Sequence, residues 1–388
     1  MKIKKIGIIG AAGGMGESYA KAFSRAGFMV YAFDNRRKEL RKLSGKNIIA
    51  VAGVKQVFEN SDYVIYSTPI ALTPKIIGET ISFARPGCIV GGFTSIKKFE
   101  VQALKKAFAG VKIITAHPLH APGKIDGQQV AVIKVRASDA DVKAVEDCFQ
   151  AIGANTHSVT AGKHDKTMAN TQVITHFILL TMALTWKIRG RKPGSNARYV
   201  NSVDGLKNDM ALRLLTQNPD VYAGIAILNQ DGISQIREYN HVLNEIIEAE
   251  QKNDFEKISR LWDEAKEFAA KNGFKKANAK VRKVFGARGF ITNTTNSHIS
   301  LLAMAITWKR LGIKPNRLGP LQSPPYKLRW LLVNKVLNSN TRKFARNAVD
   351  LEEAKRIDLA FAAAARTWAY VIESGDLNNY VMMWNKIK

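Results

Sequence analysis

Lys5-Ile6-Gly7-Ile8-Ile9-Gly10-Ala11-Ala12-Gly13-Gly14-Met15-Gly16 is the stretch whose reading decides the fold. Five residues with strand character run into a glycine-rich turn, an amphipathic segment follows to Ala26, and Phe28-Met29-Val30-Tyr31-Ala32-Phe33-Asp34 reads as a second strand. Strand, tight turn, helix and strand in this order make a dinucleotide-binding unit. Glycines let the backbone approach a pyrophosphate, and the helix offers its amino-terminal NH groups. The spacing departs from G-x-G-x-x-G: counted back from Gly16 and Gly13, the first glycine falls on Ala11, and Gly10 precedes it. Taken alone, the turn reads equally as an ordinary strand-to-helix connection. Asp34, at the end of the second strand, adds the acceptor that a ribose 2′-hydroxyl needs, whereas Arg36 and Arg37 suit a 2′-phosphate. The cofactor is therefore NAD or NADP. The candidate contacts are Gly10, Ala11, Ala12, Gly13, Gly14, Met15, Gly16, Asp34, Arg36, Arg37, Ser67 and Thr68.

Outward from this unit, further strand patterns at 62–67, 88–92, 111–115 and 130–133 alternate with helical ones, which predicts an α/β fold with a doubly wound, Rossmann-type parallel sheet. From about residue 163 the alternation stops and long apolar helical stretches begin, such as Val173 to Trp186. The expected domains are 1–162 (dinucleotide-binding), 163–275 (helical, substrate-binding) and 285–388 (a second helical copy). At 388 residues with 46% apolar content, the chain can bury several cores. No uncharged apolar run of about 18 residues is present and no cleavable signal precedes the first strand, so membrane-spanning and secreted classes are not expected. Cys88 and Cys148 are the only cysteines, which allows one disulfide at most and fits a reducing cytoplasm. The formal charge of +27 is dispersed in short pairs such as Lys275-Lys276, with no basic block, zinc spacing or aromatic RNA motif, so no nucleic-acid partner is expected. No pair of histidines at i, i+4 and no cysteine cluster is present, so no metal is expected.

Three further stretches carry residue types suited to chemistry: Thr94-Ser95-Ile96-Lys97 after one strand, His117-Pro118-Leu119-His120-Ala121-Pro122 in a loop after the next, and Lys163-His164-Asp165 leading to Gln172 and His176. With Asn218-Pro219-Asp220-Val221-Tyr222-Ala223-Gly224-Ile225 and later Asn296-Ser297-His298 and Ser323-Pro324-Pro325, they make the chain resemble the prephenate dehydrogenase family, in its fungal, NADP-dependent form, over essentially its whole length. The resemblance implies oxidative decarboxylation of prephenate to 4-hydroxyphenylpyruvate with NAD(P)+ as hydride acceptor, in tyrosine biosynthesis. It implies that His117 bonds the C4 hydroxyl with support from Ser95, and that His164, His176, Gln172, Arg213 and Lys97 bind substrate. A neutral imidazole suits removal of the hydroxyl proton. Ala121 stands where the family's loop usually has glycine. Arogenate as substrate, or a catalytically silent nucleotide- or nucleic-acid-binding protein on the same fold, are the alternatives.

The helical part contains an internal repeat. His176 to Pro193 aligns without gaps on His298 to Pro315, 122 residues on, with 11 of 18 positions identical, where ordinary composition gives about one. At the same displacement Leu215 meets Leu337, Asn218 meets Asn340, Asp254 meets Asp376 and Trp262 meets Trp384. Of the candidate site residues, only His176 has a counterpart of the same type, His298; His164, Gln172 and Arg213 become Gly286, Thr294 and Lys335. The expectation is a dimerisation-type helical unit in two tandem copies, joined near Lys271 to Lys283. The protein is then either a monomer that imitates a dimer or a homodimer.

Overall fold

The computed structural model of the protein describes residues 2–43, 45–107, 109–190, 203–272, 296–322 and 324–388. They form two compact units, Met1–Met168 and Ala169–Lys388. The first unit therefore runs six residues beyond the expected 162. The two expected helical copies fall within one unit. The expected junction lies largely outside the described residues, as do Arg191 to Pro193 at the end of the first repeat segment, Gly286 and Thr294 in the second copy, and Ser323.

The first unit is built on an eight-stranded sheet with the order β3-β2-β1-β4-β5-β6-β7-β8. The strands are β1 (Lys5–Ile9), β2 (Met29–Phe33), β3 (Ile48–Ala50), β4 (Tyr63–Tyr66), β5 (Ile89–Gly92), β6 (Lys112–Pro118), β7 (Gln129–Arg136) and β8 (Asn155–Ser158). β1, β4 and β5 are buried on both faces apart from Lys5, which is why they read as continuous apolar runs. One face carries a core that includes Ile6, Tyr19, Phe23 and Phe149, reached from α1 (Gly14–Arg25) and α6 (Asp139–Ala151). The other carries Val57, Phe58, Ile77 and Leu104 from α3 (Val54–Asn60), α4 (Thr73–Thr80) and α5 (Lys97–Leu104). α2 (Arg37–Lys42) follows β2, and α7 (Ala161–Met168) ends the unit. α6 opens on a reciprocal cap, Ser138 accepting from the NH of Asp141 while Asp141 accepts from the NH of Ser138.

The sheet departs from the expectation in three places. β7 runs antiparallel to β6, because the segment from Leu119 to Gln128 carries no helix and is too short for a parallel crossover. β6 extends through Pro118, so His117, expected in a loop, is a strand residue paired with Ala131. The short, half-exposed strands β3 and β8 at the two sheet edges are not among the expected ones: β3 is only three residues long, and β8, Asn155-Thr156-His157-Ser158, is polar. Cys88 and Cys148 are both buried free thiols, so the disulfide that the sequence allowed is not formed.

The second unit is helical. A π-helical turn, Ala169–Val173, leads to α8 (Ile174–Ile188); then come α9 (Val203–Leu215), α10 (Pro219–Leu228), α11 (Gln230–Gln251), α12 (Phe255–Lys271), α13 (Ile299–Arg310), α14 (Pro324–Leu337), α15 (Thr341–Asp350), α16 (Glu352–Glu373) and α17 (Leu377–Ile387). One core holds them together and buries Trp262, Trp308, Trp368 and Trp384 completely. By length and composition the stretch Ala161–Ile188 qualifies as a membrane span, but 89% of its most apolar window is buried in the fold, as in a core helix. α10 and α15, and α11 and α16, match in length and are displaced by 122 residues at both ends, and α12 and α17 start at that displacement. The contacts are reciprocal. α8 packs on α16 as α13 packs on α11, and α10 on α17 as α15 on α12. Arg366 Nη1 donates to Asn244 Oδ1 at 3.2 Å, a bond between two residues 122 apart.

Gly91 sits where β5 meets β6, and a Cβ there lies well inside contact distance of the Ile114 carbonyl oxygen and close to Thr115 Cα. Backbone cannot give way as a side chain can, so Gly91→Ala is expected to lower stability by about 3 kcal/mol. Urea unfolding checks this: the midpoint falls and the slope stays unchanged.

Candidate active site

The glycine-rich turn is closed by backbone bonds. Gly10, with φ +88°, donates its NH to Phe33 O at 2.8 Å, and Ala11 donates to the same oxygen at 3.0 Å. A Cβ on Gly10 collides with the Ser67 carbonyl, and one on Gly16 with the Gly10 carbonyl. The displaced glycine is thus the one that makes the turn, and the unusual spacing leaves the strand-to-helix geometry intact. α1 starts at Gly14 with Gly13 as its cap and no side-chain cap bond, so its first NH groups face out of the turn as an anion site requires. Ser67, whose NH bonds Ile9 O at 2.7 Å, and Thr68, whose hydroxyl bonds that of Thr73 at 2.8 Å, lie just after β4 beside this turn. The turn fits a dinucleotide pyrophosphate.

At the end of β2 the acid is already engaged. Asp34 Oδ2 accepts from the Ala12 NH at 3.0 Å, Oδ1 accepts from the Arg36 NH at 2.9 Å, and the Arg36 guanidinium closes on both oxygens at 3.2 and 3.3 Å. The carboxylate is 7% exposed, whereas the Arg36 side chain is 56% exposed. Arg37 turns away, bonding Val51 O at 3.1 Å and Ala52 O at 2.6 Å over the ring of Phe33.

The chemistry-bearing residues of the first unit meet at the carboxyl end of β6, on the same sheet edge as the glycine-rich turn, where the Gly123 NH donates to Ser18 Oγ of α1 at 2.9 Å. His117 Nδ1 lies 2.9 Å from His164 Nε2, and His164 Nδ1 lies 2.7 Å from Asp165 Oδ1. Asp165 also accepts the NH of Lys97 on Oδ1 and that of Lys98 on Oδ2, each at 2.8 Å, so it caps the start of α5. Burial pushes His117 well below the ordinary imidazole range, with the charges of His164, Lys97 and His120 adding to it. His164 is also lowered, burial outweighing the hydrogen bond and charge of Asp165. Burial works to raise Asp165, but the bonds from His164 and the two backbone NH groups hold it below the usual carboxylate range. Ser95 is half-buried in the turn between β5 and α5. His120 bonds Tyr19 Oη at 3.0 Å and Ala121 O at 2.8 Å.

Lys97 is the clear departure from the expected set. Its ammonium is fully buried and donates to Gly92 O (3.1 Å), Glu100 Oε1 (2.9 Å), Thr115 Oγ1 (2.9 Å) and Ala116 O (2.7 Å). Glu100 in turn accepts from Thr94 Oγ1 at 2.7 Å and from the hydroxyl of Thr115. With its donors directed inside the fold, Lys97 braces β5 and β6 beneath His117.

In the second unit, Gln172 lies in the π-helical turn and His176 on the first turn of α8. Gln172 Oε1 and His176 Nδ1 are buried with no hydrogen-bond partner. Burial pushes His176 down to about 3. Its ring meets Tyr222 edge-on at 4.6 Å, and the charge of Arg213, an exposed residue of α9, reaches Tyr222. Two orphaned buried polar atoms with a cation nearby are what an anionic, hydroxylated ligand complements. Asp165, Glu100, Thr115 and Tyr222 were not among the expected site residues. Asp165 stood directly after His164, Tyr222 stood in the Asn218–Ile225 stretch, and Glu100 lies three residues after Lys97, whereas Thr115 carried no signal.

A doubly wound nucleotide-binding unit with a buried histidine pair at the end of its sheet, and a separate helical unit, define a dinucleotide-dependent dehydrogenase. Residues 173–388 match the model of the TYR1-like, 6-phosphogluconate dehydrogenase C-terminal domain, and residues 5–162 that of the NAD binding domain of 6-phosphogluconate dehydrogenase. The chain belongs to the TYR1-like prephenate dehydrogenase family. It is 27% identical over 395 residues to a probable prephenate dehydrogenase [NADP(+)] of Schizosaccharomyces pombe, covering 97% of this chain and 90% of that one. It is 28% identical over 406 residues to the prephenate dehydrogenase [NADP(+)] of Saccharomyces cerevisiae, covering 99% and 89%. The fold is similar to that of a prephenate dehydrogenase from A. aeolicus solved with hydroxyphenyl propionate and NAD+, with a TM-score of 0.53 and 17% identity over 68% of this chain and 96% of that one.

Removing the Lys97 ammonium leaves the buried Glu100 carboxylate without a cation. Lys97→Ala is therefore expected to cost about 3–5 kcal/mol of stability, and Lys97→Met with Glu100→Gln to recover much of it. Denaturant titration of the single and double variants checks this. A variant of unchanged stability with a raised substrate KM is the opposite outcome.

Proposed function

We propose that the protein oxidises prephenate to 4-hydroxyphenylpyruvate and carbon dioxide, with NADP+ as the preferred acceptor. The observation that carries this is the buried His117, held in a hydrogen-bonded pair at the end of the sheet that bears the dinucleotide turn. When bound, the dinucleotide supplies an acceptor for the hydride that leaves C4. Burial keeps His117 neutral at physiological pH, so its remaining nitrogen can accept the C4 hydroxyl proton as the carbonyl forms. Loss of carbon dioxide from C1 leaves its electron pair in the ring, which becomes aromatic, and the His117 proton returns to the phenolate oxygen. The imidazole thus ends each turnover as it began. Ser95 is assigned to the same hydroxyl. His164 is assigned to the active site through its bond to His117, and Gln172, His176 and Arg213 are assigned to the substrate's polar groups and carboxylates. Lys97 takes no part in binding.

The preference for NADP rests on Asp34 and Arg36. An acid already bonded to the Ala12 NH and to Arg36 has little capacity left for a ribose diol, while the exposed guanidinium in front of it suits a 2′-phosphate. Absorbance at 340 nm with prephenate and each cofactor tests the reading. Reduction of NADP+ that falls at least about 100-fold in kcat in His117→Ala supports it, and Arg36→Ala should narrow the preference for NADP+ over NAD+. Turnover unchanged in His117→Ala contradicts the assignment.

We further propose that the helical unit is a tandem duplication whose second copy takes the place of a dimer partner. The equal displacements of the helices, the reciprocal packing and the Arg366–Asn244 bond support this reading. Such an arrangement satisfies within one chain the apolar faces that would otherwise need a second subunit. Sedimentation equilibrium should give the mass of one chain, and a stable dimer at micromolar concentration would contradict it.

A further inference from the structure

Behind His117 the carboxylate of Asp165 and the imidazole of His164 form a chain that does not end at the reacting residue. Asp165 is held by the NH groups of Lys97 and Lys98, so its position is set by the backbone of α5 and not by a mobile side chain. His164 is completely buried and His117 is 3% exposed, so water does not compete for the bonds between them. The ionised carboxylate accepts only, so the bond at 2.7 Å requires a proton on His164 Nδ1. The neutral ring of His164 then has a bare Nε2, and the bond at 2.9 Å requires a proton on His117 Nδ1. His117 is left with a bare Nε2, the form in which it is a base.

We propose that Asp165 and His164 are positioning residues that fix the tautomer of His117 and share the positive charge when it takes the substrate proton. The electrostatics of the surroundings fit a device that is neutral at rest and compensated when charged. Lys97, bonded to the Ala116 carbonyl just before His117, bears on both histidines and disfavours their protonation in the resting enzyme. His120 adds to this at His117, and Asp165 and Glu100 oppose it at His164. When His117 Nε2 gains a proton, its Nδ1 proton can shift towards His164 Nε2 and the His164 Nδ1 proton towards Asp165. The charge created at the substrate is then met by a carboxylate two imidazoles away, with no net change in atoms or charge along the chain. The inference rests on His117 being the base of the reaction proposed above, but the tautomer it requires exists without substrate.

The test uses the full chain with histidine labelled with nitrogen-15. In the free enzyme the ring shifts of His117 should show a proton on Nδ1 and a bare Nε2, and a proton on Nε2 instead overturns the proposal. In Asp165→Asn the charge is lost and the amide cannot accept all three native bonds, from the Lys97 and Lys98 NH groups and from His164 Nδ1, so the His164 tautomer is no longer fixed. His117 should then no longer be held with its proton on Nδ1 alone, and kcat should fall about 10²- to 10⁴-fold with the prephenate KM changed less than about threefold. A kcat within about threefold of the parent overturns it. If Asp165→Asn does not fold, His164→Gln offers a carbonyl to His117 Nδ1. It should keep the tautomer while lowering kcat at least about tenfold, and parent-like turnover overturns the proposal. Resting shifts as expected in a protein inactive towards prephenate with either cofactor would remove the functional reading and leave the relay geometry standing.

Discussion

The Asp165 carboxylate is the constraint on which the active end of the first unit depends. It closes the first turn of α5 through two backbone NH groups and, with Oδ1, also holds His164 against His117. One side chain thereby ties a helix start, the end of β6 and the beginning of α7 to a common geometry. Below it Lys97 and Glu100 serve the strands in the same way, spending every donor and acceptor on the framework. Buried ionic groups of this kind add little net stability, because desolvation offsets most of the attraction, but they penalise any other arrangement of the elements they join. The histidine pair is held in one arrangement for that reason, which is what the proposed removal of one proton from one hydroxyl requires.

At the dinucleotide turn, on the same edge of the sheet, side chains are used with the same economy. Asp34 stabilises the turn by accepting from Ala12 and is covered by Arg36, so the residue usually read as a ribose ligand acts here as a structural anchor for a cation. A single acid thus serves both the turn and the exposed guanidinium of Arg36.

Much of this was legible in the sequence, and the failures have physical reasons. The central strands declared themselves as apolar runs because both their faces are buried, whereas at the edges β8 is polar and β3 is only three residues long. β6 looked as if it ended before His117 because Pro118 normally breaks a ladder, yet at its end β7 supplies an antiparallel partner that pairs with both residues. Lys97 looked like an anion ligand because its residue type suits that task. Glu100, three residues on in the same helix, was the sign of an internal pair that went unread. The pairing of His117 with His164 joins residues 47 apart, and only the fold reveals it. In the helical unit the sequence repeat was legible because 11 of 18 positions coincide, while the packing of α8 on α16 and of α11 on α13 was not encoded in any local pattern.

The central claim is that His117 Nε2 faces the oxygen from which the proton is lost. A crystal structure of the protein with NADP+ and 4-hydroxyphenylpyruvate tests it most directly. The phenolic oxygen is expected about 3 Å from His117 Nε2, with the bonds to His164 and Asp165 retained. A product whose phenolic oxygen is bound by another group, with His117 beyond hydrogen-bond reach, would contradict the claim.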